Sequence, residues 1–201
     1  MAGRKQFDEE AALEAAMRVF WSAGYEATSL ADLEAATGLA KSSLYNAYGS
    51  KEGLYVLALQ RFSARYSQEL TERLAAPGLA EAVEGFFAGL LARLADPEVP
   101  LGCMATMAAM ETGAGVRGSQ VRAGLEAMEE AFLARCRRAA AEGELRPGWA
   151  PEPLAAMLLA MTRGVAVLNA GYGDTRAAEA AVEGLMTTVR AATHGEARRV
   201  V

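Results

Sequence analysis

Residues 29–51 read Ser29-Leu30-Ala31-Asp32-Leu33-Glu34-Ala35-Ala36-Thr37-Gly38-Leu39-Ala40-Lys41-Ser42-Ser43-Leu44-Tyr45-Asn46-Ala47-Tyr48-Gly49-Ser50-Lys51. Two short helix-forming runs are separated by Gly38-Leu39-Ala40. Ser29 and Asp32 have capping-box spacing, with Asp in place of the more usual Glu. Gly38 tolerates the left-handed backbone that ends a helix. Gly49 stops the second run, which covers about 41–48, and Ser50 is placed to cap the next helix. This is the length and punctuation of a helix-turn-helix. Leu30, Leu33 and Leu44 are positioned to pack the pair against Leu13 and Phe20.

In such a motif the second helix enters the major groove with its N-terminal residues toward the base edges. The residue types suit that task. Lys41 can reach a phosphate or guanine O6/N7, and Asn46 an adenine edge. Ser42 and Ser43 are small donors and acceptors. The Tyr45 hydroxyl can meet a phosphate oxygen. Lys51, with the N–H groups that open the next helix, makes a second anion site. Arg4 and Lys5 are candidates for a basic arm, and Tyr48 reads as core. Helix pairs with a glycine corner are also ordinary structural corners in all-α proteins, so spacing alone leaves both readings open.

The surroundings narrow the choice. The chain has 201 residues, 52% of them hydrophobic, and a net charge of −5. That length fits one or two domains with a real core. Residues 1–51 carry five basic groups (Arg4, Lys5, Arg18, Lys41, Lys51) against seven acidic ones. A DNA-binding face must therefore come from placement rather than overall charge. The lone histidine, His194, disfavours histidine-based catalysis and histidine-rich metal sites. Cys103 and Cys136 have no metal-ligand spacing, and there is no GxGxxG or Walker lysine motif. No enzyme activity, cofactor or metal is expected. No apolar run is expected to reach the ~18 residues of a membrane span. The polar stretch Met1–Glu10 is no signal peptide, which points to the cytoplasm.

Prolines and glycines divide the chain into about nine helices: 8–23, 29–38, 41–48, 51–74, 79–95, 102–113, 117–143, 152–171 and 176–193. No segment alternates β-branched residues as a strand would. The predicted fold is all-α: an N-terminal three-helix domain over 1–50 and a helical domain over 51–201. Leu13, Met17 and Phe20 form one stripe of the first helix, and Tyr55, Leu59, Phe62 and Tyr66 one stripe of the fourth.

Residues 13–54 resemble the DNA-binding domain of the TetR family of bacterial transcriptional regulators. The resemblance rests on Phe20-Trp21-Ser22-Ala23-Gly24-Tyr25, Thr28-Ser29-Leu30, Leu33, Gly38-Leu39 and the run from Leu44 to Leu54. Tyr48 stands where the family usually has Phe. The resemblance implies that Lys41, Ser42, Ser43, Asn46 and Ala47 face bases and that Tyr45 and Lys51 hold phosphate. It implies that Ser29 caps the second helix and meets the backbone. Ala47 could touch only a thymine methyl.

The family also implies a homodimer built on the last two helices. The interface candidates are Leu154, Leu158, Val165, Val182, Leu185 and Val189. It implies a small-molecule effector site in the C-terminal domain, with Phe86, Cys103, Met107, Met110, Met161, Arg163 and Asn169 as candidates. Methionine lines adaptable sites, but a methionine stripe is also ordinary core. Arg163 could meet an acidic ligand or pair internally, for example with Glu111. The expectation is a ligand-responsive dimeric repressor released from a near-palindromic duplex operator, with no membrane partner. The alternative is a thiol-based redox or electrophile sensor acting through Cys103, which could equally be a buried structural residue. Two other classes compete: a small enzyme or carrier on a helical bundle, and a helical interaction protein that no longer binds DNA. The first would need a polar catalytic cluster; the second would fit an acidic residue at position 41 or 51.

Overall fold

Asp8 opens the first helix by accepting the Glu10 and Ala11 N–H groups at 3.0 Å. The computed structural model describes residues 8–111 and 115–194. Among these residues lie nine helices: α1 (Glu9–Ala27), α2 (Leu30–Thr37), α3 (Lys41–Tyr48), α4 (Lys51–Leu74), α5 (Leu79–Leu94), α6 (Met104–Glu111), α7 (Val116–Ala141), α8 (Pro151–Tyr172) and α9 (Arg176–Ala192). The only extended pairing among them is a single antiparallel bridge, Leu145 to Thr193. The fold is all-α, as expected.

The chain forms two compact units. The first holds residues up to Ala64 together with Met104–Arg122. The division between these units falls inside α4, and α6 with the start of α7 joins the N-terminal unit. The physical reason is burial. Leu54, Tyr55, Ala58, Leu59 and Phe62 of α4 are buried, and two of them meet aromatic rings of α1. Tyr55 meets Phe20 edge-on with centroids 4.9 Å apart, and Phe62 meets Trp21 at 5.0 Å. On α1 the buried face is Ala12, Ala16, Met17, Phe20 and Trp21. Leu13, expected in that face, is only half-buried. Small alanines at 12 and 16 suit the close packing of α1 on α2 and α6.

Gly24 interrupts α1 with φ 79 and ψ 174, and a last turn runs on to Ala27. Side chains with a Cβ scarcely enter that region. Thr28 then donates its hydroxyl to the Gly24 carbonyl at 2.6 Å. The Ser29–Asp32 capping box is present, with Ser29 N–H to Asp32 Oδ2 at 2.8 Å and Asp32 N–H to Ser29 Oγ at 3.1 Å.

The second unit holds Arg65–Cys103 and the chain from Ala123 onward. Helices α5, α8 and α9 pack on one another. Phe86 is its aromatic centre, edge-on to Tyr66, Phe87 and Phe132. Burial pushes the Tyr66 hydroxyl well above the ordinary tyrosine range. The buried Arg135 donates to the Pro77 carbonyl at 2.9 Å and to Glu144 at 3.1 Å, and Glu144 accepts the Leu79 N–H at 2.6 Å. That set fixes the start of α5.

Leu154, Leu158, Val165, Val182, Leu185 and Val189 are all buried within a single chain. They form the internal seams of α8 and α9. In addition, α8 is long and apolar enough by length and composition to cross a membrane, contrary to the sequence expectation. Burial explains part of that apolarity: Leu154, Ala155, Leu158, Val165 and Ala166 face the interior.

Candidate nucleic-acid interface

The candidate reading surface is α3. Gly38 at φ 68 ends α2 in the left-handed conformation. Ala40 cannot cap α3, and the Lys41 N–H is instead taken by Glu34 Oε1 at 2.6 Å. A carboxylate at a helix start also favours the dipole. Leu44 is the one buried residue of α3. It pins the helix so that Lys41, Ser42, Tyr45, Asn46 and Ala47 are exposed together, with Ser43 half-buried. Lys41 Nζ lies 5.7 Å from the Tyr45 ring centroid. Tyr48 donates its hydroxyl to the Glu9 carbonyl at 3.1 Å, which ties α3 to α1 and leaves it no free hydroxyl for a phosphate.

The start of α4 stands beside this face. Ser50 Oγ accepts the Gly53 N–H at 3.0 Å. A Cβ at Gly53 would sit 2.3 Å from the Tyr48 carbonyl oxygen, so only glycine permits the tight α3–α4 turn. A shallow depression joins the two helices, lined by Leu30, Leu33, Leu44, Tyr45, Ser50, Lys51 and Leu54. Lys51 Nζ lies 4.3 Å from the centroid of the Tyr25 ring, and the Arg117 guanidinium lies 4.0 Å from the same centroid. Arg117 also reaches Glu26 at 3.2 Å and Glu52 at 3.6 Å. Glu111 accepts the Tyr25 N–H at 2.9 Å. At Ser29, two hydrogen bonds from its side chain and N–H hold the Asp32 carboxyl below the usual aspartate value.

The structure thus brings Lys41, Ser42, Tyr45, Asn46, Ala47 and Lys51 to one region, with Ser29 exposed at the head of α2. Glu34 and Arg117 escaped the sequence reading, as did the contacts that Gly53 and Glu111 make here. Their roles depend on tertiary neighbours, and only Gly53, three residues past a cap serine, left a local trace. Arg4 and Lys5 lie outside the described residues.

The residues expected around an effector separate. Phe86 and Cys103 are buried. Arg163 is half-buried, with Nη1 3.9 Å from Cys103 Sγ and Nη2 2.9 Å from Met128 Sδ. Glu111, suggested as a partner of Arg163, accepts the Tyr25 N–H through Oε2. Asn169 is committed to the backbone: Oδ1 accepts the Gly102 N–H at 2.8 Å and Nδ2 donates to the Leu94 carbonyl at 3.3 Å. Those two bonds tie α8 to the α5–α6 connection. Met107 and Met161 are half-buried. Met110 is 80% exposed and lines no interior. Both cysteines are free, and burial pushes the Cys136 thiol up to about 11. Among the described residues no group of three or more His, Cys, Asp or Glu is placed to hold a metal ion.

Comparison with known proteins agrees with this geometry. Residues 12–58 match the model of bacterial regulatory proteins of the tetR family, and residues 80–185 match the tetracyclin repressor-like C-terminal domain. The HTH-type transcriptional repressor ComR of Escherichia coli is 39% identical over 101 residues, 49% of this chain and 48% of that protein. An HTH-type regulator of Bacillus subtilis, YezE, is 38% identical over 112 residues, 55% of this chain and 58% of the relative. The chain spans about half the length of these curated relatives. Among solved structures, a cysteine-substituted form of the TetR family regulator CifR, complexed with 26-base-pair double-strand operator DNA, superposes with a TM-score of 0.83. It is 32% identical, over 92% of this chain and 97% of that one. The chain belongs to the TetR family of bacterial DNA-binding transcriptional regulators.

Proposed function

We propose that the protein is a dimeric repressor that reads a near-palindromic operator through α3 and leaves it when a small molecule binds. The observation that carries this reading is the shared exposure of Lys41, Ser42, Tyr45, Asn46 and Ala47 beside Lys51 at the start of α4. Lys41 and Asn46 supply base-edge or phosphate contacts, and Tyr45 and Lys51 fix the helix on the backbone. The operator-bound state of CifR and the repressor names of relatives support the DNA partner and the direction of regulation. Action on bacterial DNA implies a cytoplasmic protein.

A dimer must use the outward faces of α8 and α9, because the inward apolar residues are spent on the chain's own core. Those faces carry Ala156, Ala160 and Val167 on α8 and Ala180, Gly184 and Ala191 on α9, all exposed. Small side chains allow two copies to approach closely. The effector reading rests on the interior of the C-terminal unit, where Arg163 faces the sulfurs of Cys103 and Met128 near an aromatic core. A ligand there releases DNA only if it binds the operator-competent and released states with different affinity.

A second reading uses the same neighbours. Peroxide oxidation of the Cys103 thiolate, with transfer of one oxygen atom and release of water, would set a sulfenate beside the Arg163 guanidinium. Cys103→Ser that represses normally and responds normally to peroxide eliminates this sensor reading.

Fluorescence anisotropy with labelled duplexes at fixed salt tests the main proposal. One duplex family should bind at least ~1,000-fold more tightly than scrambled DNA. Asn46→Ala should lose discrimination at one base pair in each half-site. Equal affinity for all duplexes would contradict sequence-specific reading by α3.

A further inference from the structure

Lys51 is not the only charge at the start of α4. Glu52 follows it in the chain, and Glu26 lies at the end of α1 one residue after Tyr25. Both carboxylates are substantially exposed, at 49% and 71% of their side-chain surface. A phosphate approaching Lys51 therefore also approaches two negative groups, and exposed charges act on one another over roughly a 10 Å Debye length. The N-terminal unit has an excess of acid over base in its first 51 residues, so its own composition does not offset them.

Arg117 offsets part of that charge. From the first turn of α7 it pairs with Glu26 at 3.2 Å and with Glu52 at 3.6 Å. It is itself largely covered, with 23% of its side chain exposed, and its guanidinium lies over the Tyr25 ring that Lys51 also covers. The ring is held in turn. Tyr25 packs on Tyr55 at 4.9 Å, and its N–H is taken by Glu111 at the end of α6. Glu111 and Arg117 are on different helices, six positions apart in sequence, and both grip the segment Gly24–Glu26.

We propose that Arg117 is a positioning residue for DNA binding, which pairs with Glu26 and Glu52 and shares the Tyr25 ring with Lys51, so that Lys51 meets a phosphate without the excess negative charge that the two carboxylates would otherwise set beside it. This rests on the DNA-binding reading above and adds a determinant outside the helix-turn-helix. Such exposed pairs contribute little to stability. Their effect appears in affinity for an anion, where two uncovered carboxylates at this range weaken binding by about fivefold at low salt.

The test is a set of variants in the full chain, with affinity for an operator duplex and for non-specific duplex measured against salt. Arg117→Ala should weaken both affinities by about fivefold at low salt, with the deficit shrinking as salt rises. Adding Glu26→Gln and Glu52→Gln to Arg117→Ala should restore binding, which repair of a merely structural contact would not do. Glu26→Gln with Glu52→Gln in the presence of Arg117 should bind more tightly than wild type, and this measurement stands even if Arg117→Ala fails to fold. Wild-type affinity in Arg117→Ala, or a triple variant as weak as Arg117→Ala, overturns the inference while leaving DNA reading by α3 intact. Absence of duplex binding by the wild-type protein overturns both.

Discussion

Substituting Gly24 by alanine should destabilise the N-terminal unit more than removing any one hydrogen bond in it. Two costs arise together. The backbone at φ 79 and ψ 174 lies in a region reserved for glycine, and holding a Cβ-bearing residue there costs about 1–3 kcal/mol. The new Cβ would also stand 2.0 Å from Glu111 Oε1, closer than any real contact, so the carboxylate must leave the Tyr25 N–H. Losing a hydrogen bond to a charged acceptor costs about 1.5–3 kcal/mol. Gly24→Ala should therefore cost about 3–5 kcal/mol. At about 2–4 °C per kcal/mol for a chain of this size, the unfolding midpoint should drop by roughly 10 °C. Glu111→Ala alone should cost only the hydrogen bond. In the double variant the carboxylate is already gone, so the penalties should fall short of additivity by about the hydrogen-bond cost. Urea and thermal unfolding followed by circular dichroism give all three values. A Gly24→Ala penalty no larger than that of Glu111→Ala, or full additivity, would refute the placement of Glu111 over the Gly24–Tyr25 peptide.

Other outcomes rest on the same contacts. Lys51→Ala should reduce the slope of log affinity against log salt by about 0.9 for each subunit that loses its phosphate contact, measured by salt titration of an operator complex. Asn169→Ala leaves the buried Gly102 N–H and Leu94 carbonyl without their side-chain partner and should cost about 2–4 kcal/mol in urea unfolding while leaving the base preferences of α3 unchanged. The depressed Asp32 carboxyl makes the capping box stabilising above the unfolded aspartate value and lost as pH falls through the lower folded value. NMR titration should find the Asp32 value below the ordinary one in wild type and returned toward it in Ser29→Ala.

Local chemistry carried most of the fold. Helix ends at Gly38 and Gly49 and the cap at Ser29 depend on residues within four positions, so they can be read from the chain. The exposed face of α3 also followed from spacing, because Leu44 alone decides which way it turns. The C-terminal residues show where that logic ends. The seams Leu154–Leu158–Val165 and Val182–Leu185–Val189 are apolar, but periodicity does not say whether the covering surface comes from the same chain or from another. Here it comes from the same chain. Asn169 on an apolar helix reads equally well as a ligand contact or as a partner for buried backbone, and only the nearby Gly102 and Leu94 peptides decide between them. Arg117 and Glu111 lie more than 80 residues from the segment they grip, and no local signal marks them.

The most direct measurement is selection of bound sequences from a random duplex pool at moderate salt, with wild type and the Lys41→Ala/Asn46→Ala variant run in parallel. A dimer reading through two α3 helices should enrich a near-palindrome whose half-sites are centred about one helical turn, or a multiple of it, apart. The variant should lose that enrichment while keeping weak, salt-sensitive binding. No enrichment by the wild type, or the same motif enriched by the variant, would contradict the claim that α3 reads an operator.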